Sequence, residues 1–174
     1  MKTSKILQAF FTSTLILLIS VIIEVSIFSN ISAFPIIPDL SLLCLLYVSI
    51  HDGKLIGETT GFLSGLFLDF LSAGPMGLNC VYRVFFGYLC GLFSKTLNTE
   101  GFFIPLLLGT CATLVKAIFL FIVTILFPGL HLANTVFSYT FLCQIIENIL
   151  ITPFVFKFLS LFKKYLLLNP ENIV

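Results

Sequence analysis

The chain reads as a series of long apolar runs separated by short polar breaks, without the period-two alternation of a half-buried strand. At about 20 residues per membrane crossing, these runs predict helices at Ile6–Phe28, Ile36–Ile50, Leu55–Ala73, Met76–Ser94, Phe102–Phe127 and Val136–Phe162. Backbone amides in hydrocarbon must be bonded within their own segment or around a closed barrel, and unbroken apolar runs point to helices. The expected fold is therefore all-α, a polytopic membrane protein with six transmembrane helices forming one domain over residues 1–174. The second run is short, about 22 Å at 1.5 Å per residue against a core of roughly 30 Å, so it must extend into its flanks or be drawn inward. Turn chemistry marks the breaks: Asn30, Pro35 and Pro38 before the second run, Asp52-Gly53 before the third, Gly74-Pro75 before the fourth and Pro128-Gly129 before the sixth. Pro105 and Pro153 fall inside runs, where each is expected to kink its helix.

Composition strengthens the membrane assignment. With 59% hydrophobic residues, 21 phenylalanines and only 10% charged residues, there is too little polarity for a watery surface, since soluble domains carry about 25% charged residues. The net charge of +1 excludes a basic nucleic-acid-binding surface. Lys2, Lys5, Lys54, Lys95, Lys163 and Lys164 all fall on one side of a six-span arrangement, and the opposite loops carry no Lys or Arg. Both termini are therefore expected in the cytoplasm. The first run is longer than a signal-peptide core and contains Glu24, so it is expected to stay in the membrane.

Cys44, Cys80, Cys90, Cys111 and Cys143 lack Cys-x-x-Cys spacing, and His51 and His131 fall at opposite membrane faces, so neither a metal nor another cofactor is expected. There is no Gly-x-Ser-x-Gly elbow, His-Glu-x-x-His or phosphate loop, and the chain is not expected to be an enzyme.

Asp69, Arg83, Lys116 and Glu147 interrupt the apolar runs. A mid-span Asp, Lys or Arg costs about 2.5–3.5 kcal/mol on a translocon scale, so these groups must face protein. Gly57, Gly61, Gly65 and Asp69 recur every four residues in the third run, as do Arg83, Gly87 and Gly91 in the fourth. Each series is one helix face. Reflection through the Gly74-Pro75 turn sets Asp69 beside Arg83, Gly65 beside Gly87, Gly61 beside Gly91 and Glu58 near Lys95. The expected result is a tight glycine-packed hairpin locked by an ion pair. A similar reflection sets Lys116 beside Glu147, each about 16 Å below the outer end of its helix. Such pairs specify helix assembly; a proton or ion path is the alternative, and pairing each acid with a base argues against it. The glycine faces serve internal packing or, alternatively, dock another protein's helix. Glu24 and Asp39 are expected nearer the interface, Asp39 at an outward-facing helix start where the dipole favours an anion.

Phe34-Pro35-Ile36-Ile37-Pro38-Asp39, followed by the stretch from Gly61 to Leu78 that contains Asp69-Phe70-Leu71-Ser72-Ala73-Gly74-Pro75-Met76-Gly77, resembles the MreD family of bacterial rod shape-determining proteins. Pro38, Asp39, Asp69, Gly74, Pro75 and Gly77 carry the motif. The resemblance implies a non-enzymatic scaffold of the cell-elongation (rod) complex in the bacterial inner membrane. It would bind the transmembrane helix of MreC and, indirectly, couple the MreB filament to peptidoglycan synthesis by RodA and its penicillin-binding transpeptidase. The family's arrangement is also similar to the substrate-binding subunits of energy-coupling-factor transporters. That similarity raises a small-solute-binding alternative, for which Asn79, Asn134 and Gln144 are the candidate polar groups. Cytoplasmic loops around Lys54, Lys95 and the Lys163-Lys164 tail could meet filament or anionic lipid.

Overall fold

The computed structural model describes residues 2–26, 38–72, 75–94, 96–97, 99, 101–127, 139–162 and 166. Among them are six helices: α1 Lys2–Ser26, α2 Leu40–Asp52, α3 Lys54–Leu71, α4 Leu78–Leu92, α5 Phe103–Leu126 and α6 Tyr139–Leu161. Three are long and apolar enough to cross a membrane, over Ile6–Ser26, Phe103–Leu126 and Cys143–Leu161. At 13 and 15 residues, α2 and α4 reach only about 20 and 22 Å. The 18-residue α3 carries Lys54, Glu58 and Asp69.

Local chemistry sets these ends. The second helix starts at Leu40, later than Ile36, because the Asp39 carboxylate caps it by accepting from Leu42 N–H. Gly53, at φ 88°, ends α2 and begins α3, a left-handed turn that a residue with a Cβ adopts only under strain. Gly77, at φ 91°, precedes α4 and moves its start from Met76 to Leu78. Pro105 does not interrupt α5: it lies in the first turn, where a missing N–H breaks no helical bond.

The short α2 occupies the centre and touches every other helix. Every residue from Ser41 to Ile50 is buried, as expected of a helix apolar on all sides. The partition of polarity runs opposite to that of a water-soluble domain. Phe11, Leu15, Phe70, Phe103, Ile118, Leu150, Phe154 and Phe158 are exposed, whereas Ser13, Asp39, Ser41, Asp52, Asp69, Arg83 and Asn148 are buried. An apolar coat of this extent has lipid as its solvent. Several interior hydroxyls are satisfied along their own helices, Ser49 donating to Leu45 O, Thr60 to Ile56 O and Thr152 to Asn148 O.

Glycines make the α3–α4 contact close. A Cβ on Gly61 would stand 2.6 Å from Arg83 O, one on Gly65 2.6 Å from Cys80 Cα, and those on Gly87 and Gly91 would collide with Gly57 O and Lys54 Cα. The same two glycine faces expected from the sequence thus meet, but in a register displaced by about one helical turn on each helix. Gly61 lies against Arg83 rather than Gly91, and Gly57, not Gly65, lies against Gly87. The cause is at the hairpin end, where α3 stops at Leu71 and α4 does not begin until Leu78, drawn back alongside Asp69 by hydrogen bonds. Lys95 lies outside the described residues, so its expected approach to Glu58 does too.

Gly61→Ala should therefore destabilise the bundle by about 1–3 kcal/mol through overpacking against immovable backbone. Phe62→Ala, one residue along on the exposed face, should cost less. Thermal unfolding of the detergent-solubilised variants compares the two; equal losses would show that the seam is not this tight.

Candidate functional site

Four charged residues, Glu24, Asp39, Arg83 and Lys116, meet at the start of α2. Asp39 is 3% exposed, and its carboxylate meets Arg83 Nη2 of α4 at 3.2 Å and Lys116 Nζ of α5 at 2.5 Å. Asp39 N–H donates to Asn148 Oδ1 of α6 at 3.0 Å. Ser41, in the first turn of α2, accepts from Arg83 Nη2 at 2.6 Å and donates to Glu24 Oε2 of α1. Five helices are thereby tied together: α1, α2, α4, α5 and α6.

The charges within this cluster balance, with Glu24 and Asp39 against Arg83 and Lys116. The uncapped amides of a helix start further favour an anion at Asp39. An anion that accepts from an N–H, a guanidinium and an ammonium uses most of its lone pairs, which is the condition for holding charge in a medium of low polarity.

This arrangement corrects the expected pairings. Arg83 bonds Asp39, not Asp69, and Lys116 bonds Asp39, not Glu147. The Asp69 carboxylate instead accepts from Gly77 N–H, Asn79 N–H, Asn79 Nδ2 and Cys80 N–H. It thus caps the first turn of α4 from the end of α3. Three backbone donors that would otherwise be orphaned at a helix start are satisfied by one anion. Glu147, left without Lys116, has a buried Oε2 with no hydrogen-bond partner. Asp39 is also not an interfacial group open to water; α2 is drawn inward until its capped start lies within the bundle.

The motif residues divide between two places in the fold. Pro38 and Asp39 begin α2, while Asp69, Pro75 and Gly77 shape the return into α4; Gly74 lies outside the described residues. Ser41 and Asn148 are site residues that periodicity and charge alone did not single out. Their signal was available: each is a polar side chain in an apolar run, one turn or less from an expected charge.

The other polar residues singled out in the sequence are held by partners of their own or lie outside the described residues. His51 bonds Tyr47 O through Nδ1 at 2.8 Å and Thr99 Oγ1 through Nε2 at 2.9 Å, and His131 lies outside the described residues. No group of three His, Cys, Asp or Glu suited to a metal occurs among the described residues. Of the candidate solute-binding groups, Asn79 is engaged by Asp69 and Gln144 has partners of its own; Asn134 lies outside the described residues. Three cavities, of about 740, 590 and 330 Å³, have walls that contain none of the charge-network residues.

Asp39→Leu should destabilise the fold by about 3–5 kcal/mol, the cost of stranding a buried charge. Adding Arg83→Met and Lys116→Met should recover part of that loss, read as the yield of monodisperse protein and its unfolding temperature. The exchange of Asp69→Arg with Arg83→Asp should be no better than either single change, because the two do not share a bond. A rescue by that exchange would contradict the geometry.

A family model described as rod shape-determining protein MreD matches residues 4–162. No curated protein and no solved structure matches the chain, so the expected likeness to energy-coupling-factor subunits gains no support. The match runs from the first helix through the last and includes both the capped start of α2 and the Asp69 hairpin; the chain belongs to the MreD family of rod shape-determining proteins.

Proposed function

We propose that this protein is a non-enzymatic scaffold of the rod complex, with all six helices in the bacterial inner membrane and both termini in the cytoplasm. It holds the transmembrane helix of MreC and, indirectly, couples the MreB filament to peptidoglycan synthesis by RodA and its penicillin-binding transpeptidase. Family membership supports the role in rod shape determination. The observation that carries the scaffold reading is the use made of the interior charges: Glu24, Asp39, Arg83 and Lys116 join helices to one another. A proton path or solute site needs groups free to titrate or to bind, and these are bound to one another.

The exposed surface fits the same reading. The coat is apolar on every helix that reaches it, so a partner held within the membrane must be recognised by helix packing and by isolated polar contacts. Short helices do not preclude residence in the bilayer, since α2 is enclosed by its neighbours and presents little surface to lipid.

Co-expressed with the MreC encoded by the same organism, the full-length chain should retain MreC through detergent solubilisation and affinity purification. MreC trimmed of its transmembrane helix should be lost. Equal retention of both forms would place the contact outside the membrane and overturn the helix-gripping role. Fluorescent-protein fusions at each terminus should both fluoresce, and alkaline phosphatase fusions should both be inactive; the reverse at either end would overturn the orientation.

A further inference from the structure

We propose that the groove between α1 and α6, with Glu147 at its outer end, seats a partner's transmembrane helix that is apolar along the groove and carries one cationic hydrogen-bond donor at the depth of Asp39. The inference rests on the scaffold reading and adds to it the place of contact and the chemistry of the partner.

The groove has a volume of about 740 Å³. Leu15 and Ile19 of α1 form one wall, Phe154 and Phe158 of α6 the other, and Leu40 and Cys44 of α2 the floor. It exists because α1 packs on α2 and α3, whereas α6 packs on α5 and α2, leaving the two outer helices apart. Along α1 the lining runs from Thr12 to Ile23, about 17 Å at helical rise.

Glu147 lies on the same face of α6 as the groove wall. Steps of seven and eleven residues return a helix to nearly the same direction, and seven and eleven residues beyond Glu147 are Phe154 and Phe158, both exposed. By the same steps Asn148 is in line with Val155 and Leu159 on the deeper flank of that wall, and with Thr152 and Phe156, also buried, it turns toward the bundle. Depth follows from the neighbouring residue: Asn148 bonds Asp39, and Leu40, next to Asp39, lines the groove. Glu147 therefore stands about level with Leu40, roughly two turns of α6 beyond Phe154, the outermost residue with which α6 lines the groove.

Charge complementarity selects the occupant. Glu24, Asp39 and Asp69 each accept from hydroxyl, amide or cationic donors within the chain, whereas Glu147 Oε2 is buried and unpartnered. A carboxylate in a candidate membrane span is stabilised by a donor, and Lys116, the cation expected from the sequence, is already bound to Asp39. Acyl chains would fill the apolar part of the groove but offer nothing to Glu147. A helix with a Lys or Arg at the matching depth satisfies both.

A photocrosslinking amino acid placed at Phe154 or Phe158, in the full chain co-expressed with MreC, tests this directly. The expected result is a crosslink to the MreC transmembrane segment from both positions and none from Phe62 on α3. Glu147→Leu should reduce recovered MreC about tenfold, the scale of a lost intramembrane hydrogen bond. Its own unfolding temperature should hold, because Glu147 ties no helix to another. Glu147→Gln should lose less. Crosslinks only to phospholipid, or only to a second copy of this chain, would overturn the proposed occupant. A complex that forms with crosslinks from Phe62 instead would overturn the site and leave the scaffold reading intact. Failure of the unaltered chain to retain MreC would overturn both.

Discussion

A single carboxylate neutralising two cations, in a place with almost no water, is the constraint from which the rest of the bundle follows. Asp39 meets Arg83 and Lys116 while its own backbone and cap engage α6 and α2. A helix start favours such a junction, because its unpaired amides and the helix dipole also stabilise negative charge. For the start of α2 to lie within the bundle, α2 must be short and must be covered on all sides. Its 13 residues and its burial from Ser41 to Ile50 are therefore parts of the same solution.

The second acid of the cluster closes the charge balance. Glu24 does not reach Arg83 directly; Ser41 lies between them, donating to the carboxylate and accepting from the guanidinium. A hydroxyl can do both at once, and in that way α1, which makes no ion pair of its own among the described residues, is joined to the centre. Asp69 applies the same physics at the α3–α4 hairpin, where the anion is balanced by backbone N–H groups in place of a cation. Below it the glycine seam brings two backbones to van der Waals contact. Hydrocarbon offers apolar side chains as good an environment as the protein interior does, so polar ties and close backbone contact carry the association of these helices. A bundle held this way suits a scaffold, whose partners need a surface of fixed shape.

Much of this was legible in the residues. The order and approximate position of the helices followed from the apolar runs, and Gly53 and Pro75 marked turns that the structure contains. The two glycine faces followed from four-residue spacing, and the need for Asp69, Arg83 and Lys116 to face protein followed from the cost of a charge in hydrocarbon. The pairing went astray for a physical reason. Reflection through a turn assigns depth only if both helices continue up to the turn, and α4 instead starts beside Asp69 after a return through Gly77. It also considers only sequential neighbours, whereas Asp39 is 44 residues from Arg83 and 77 from Lys116.

By itself, then, the sequence determined the solvent and the inventory: a helical chain coated for lipid, with a few charges that could not face it and glycines spaced for close contact. Those properties are local, set by side-chain polarity and the 3.6-residue period. Only the tertiary structure decided which charge meets which, because a carboxylate can be satisfied by a cation, a hydroxyl or a helix start, and the choice depends on what the packing brings within 3 Å or so. The same step left Glu147 unmatched, a vacancy in the bonding that no periodicity could disclose.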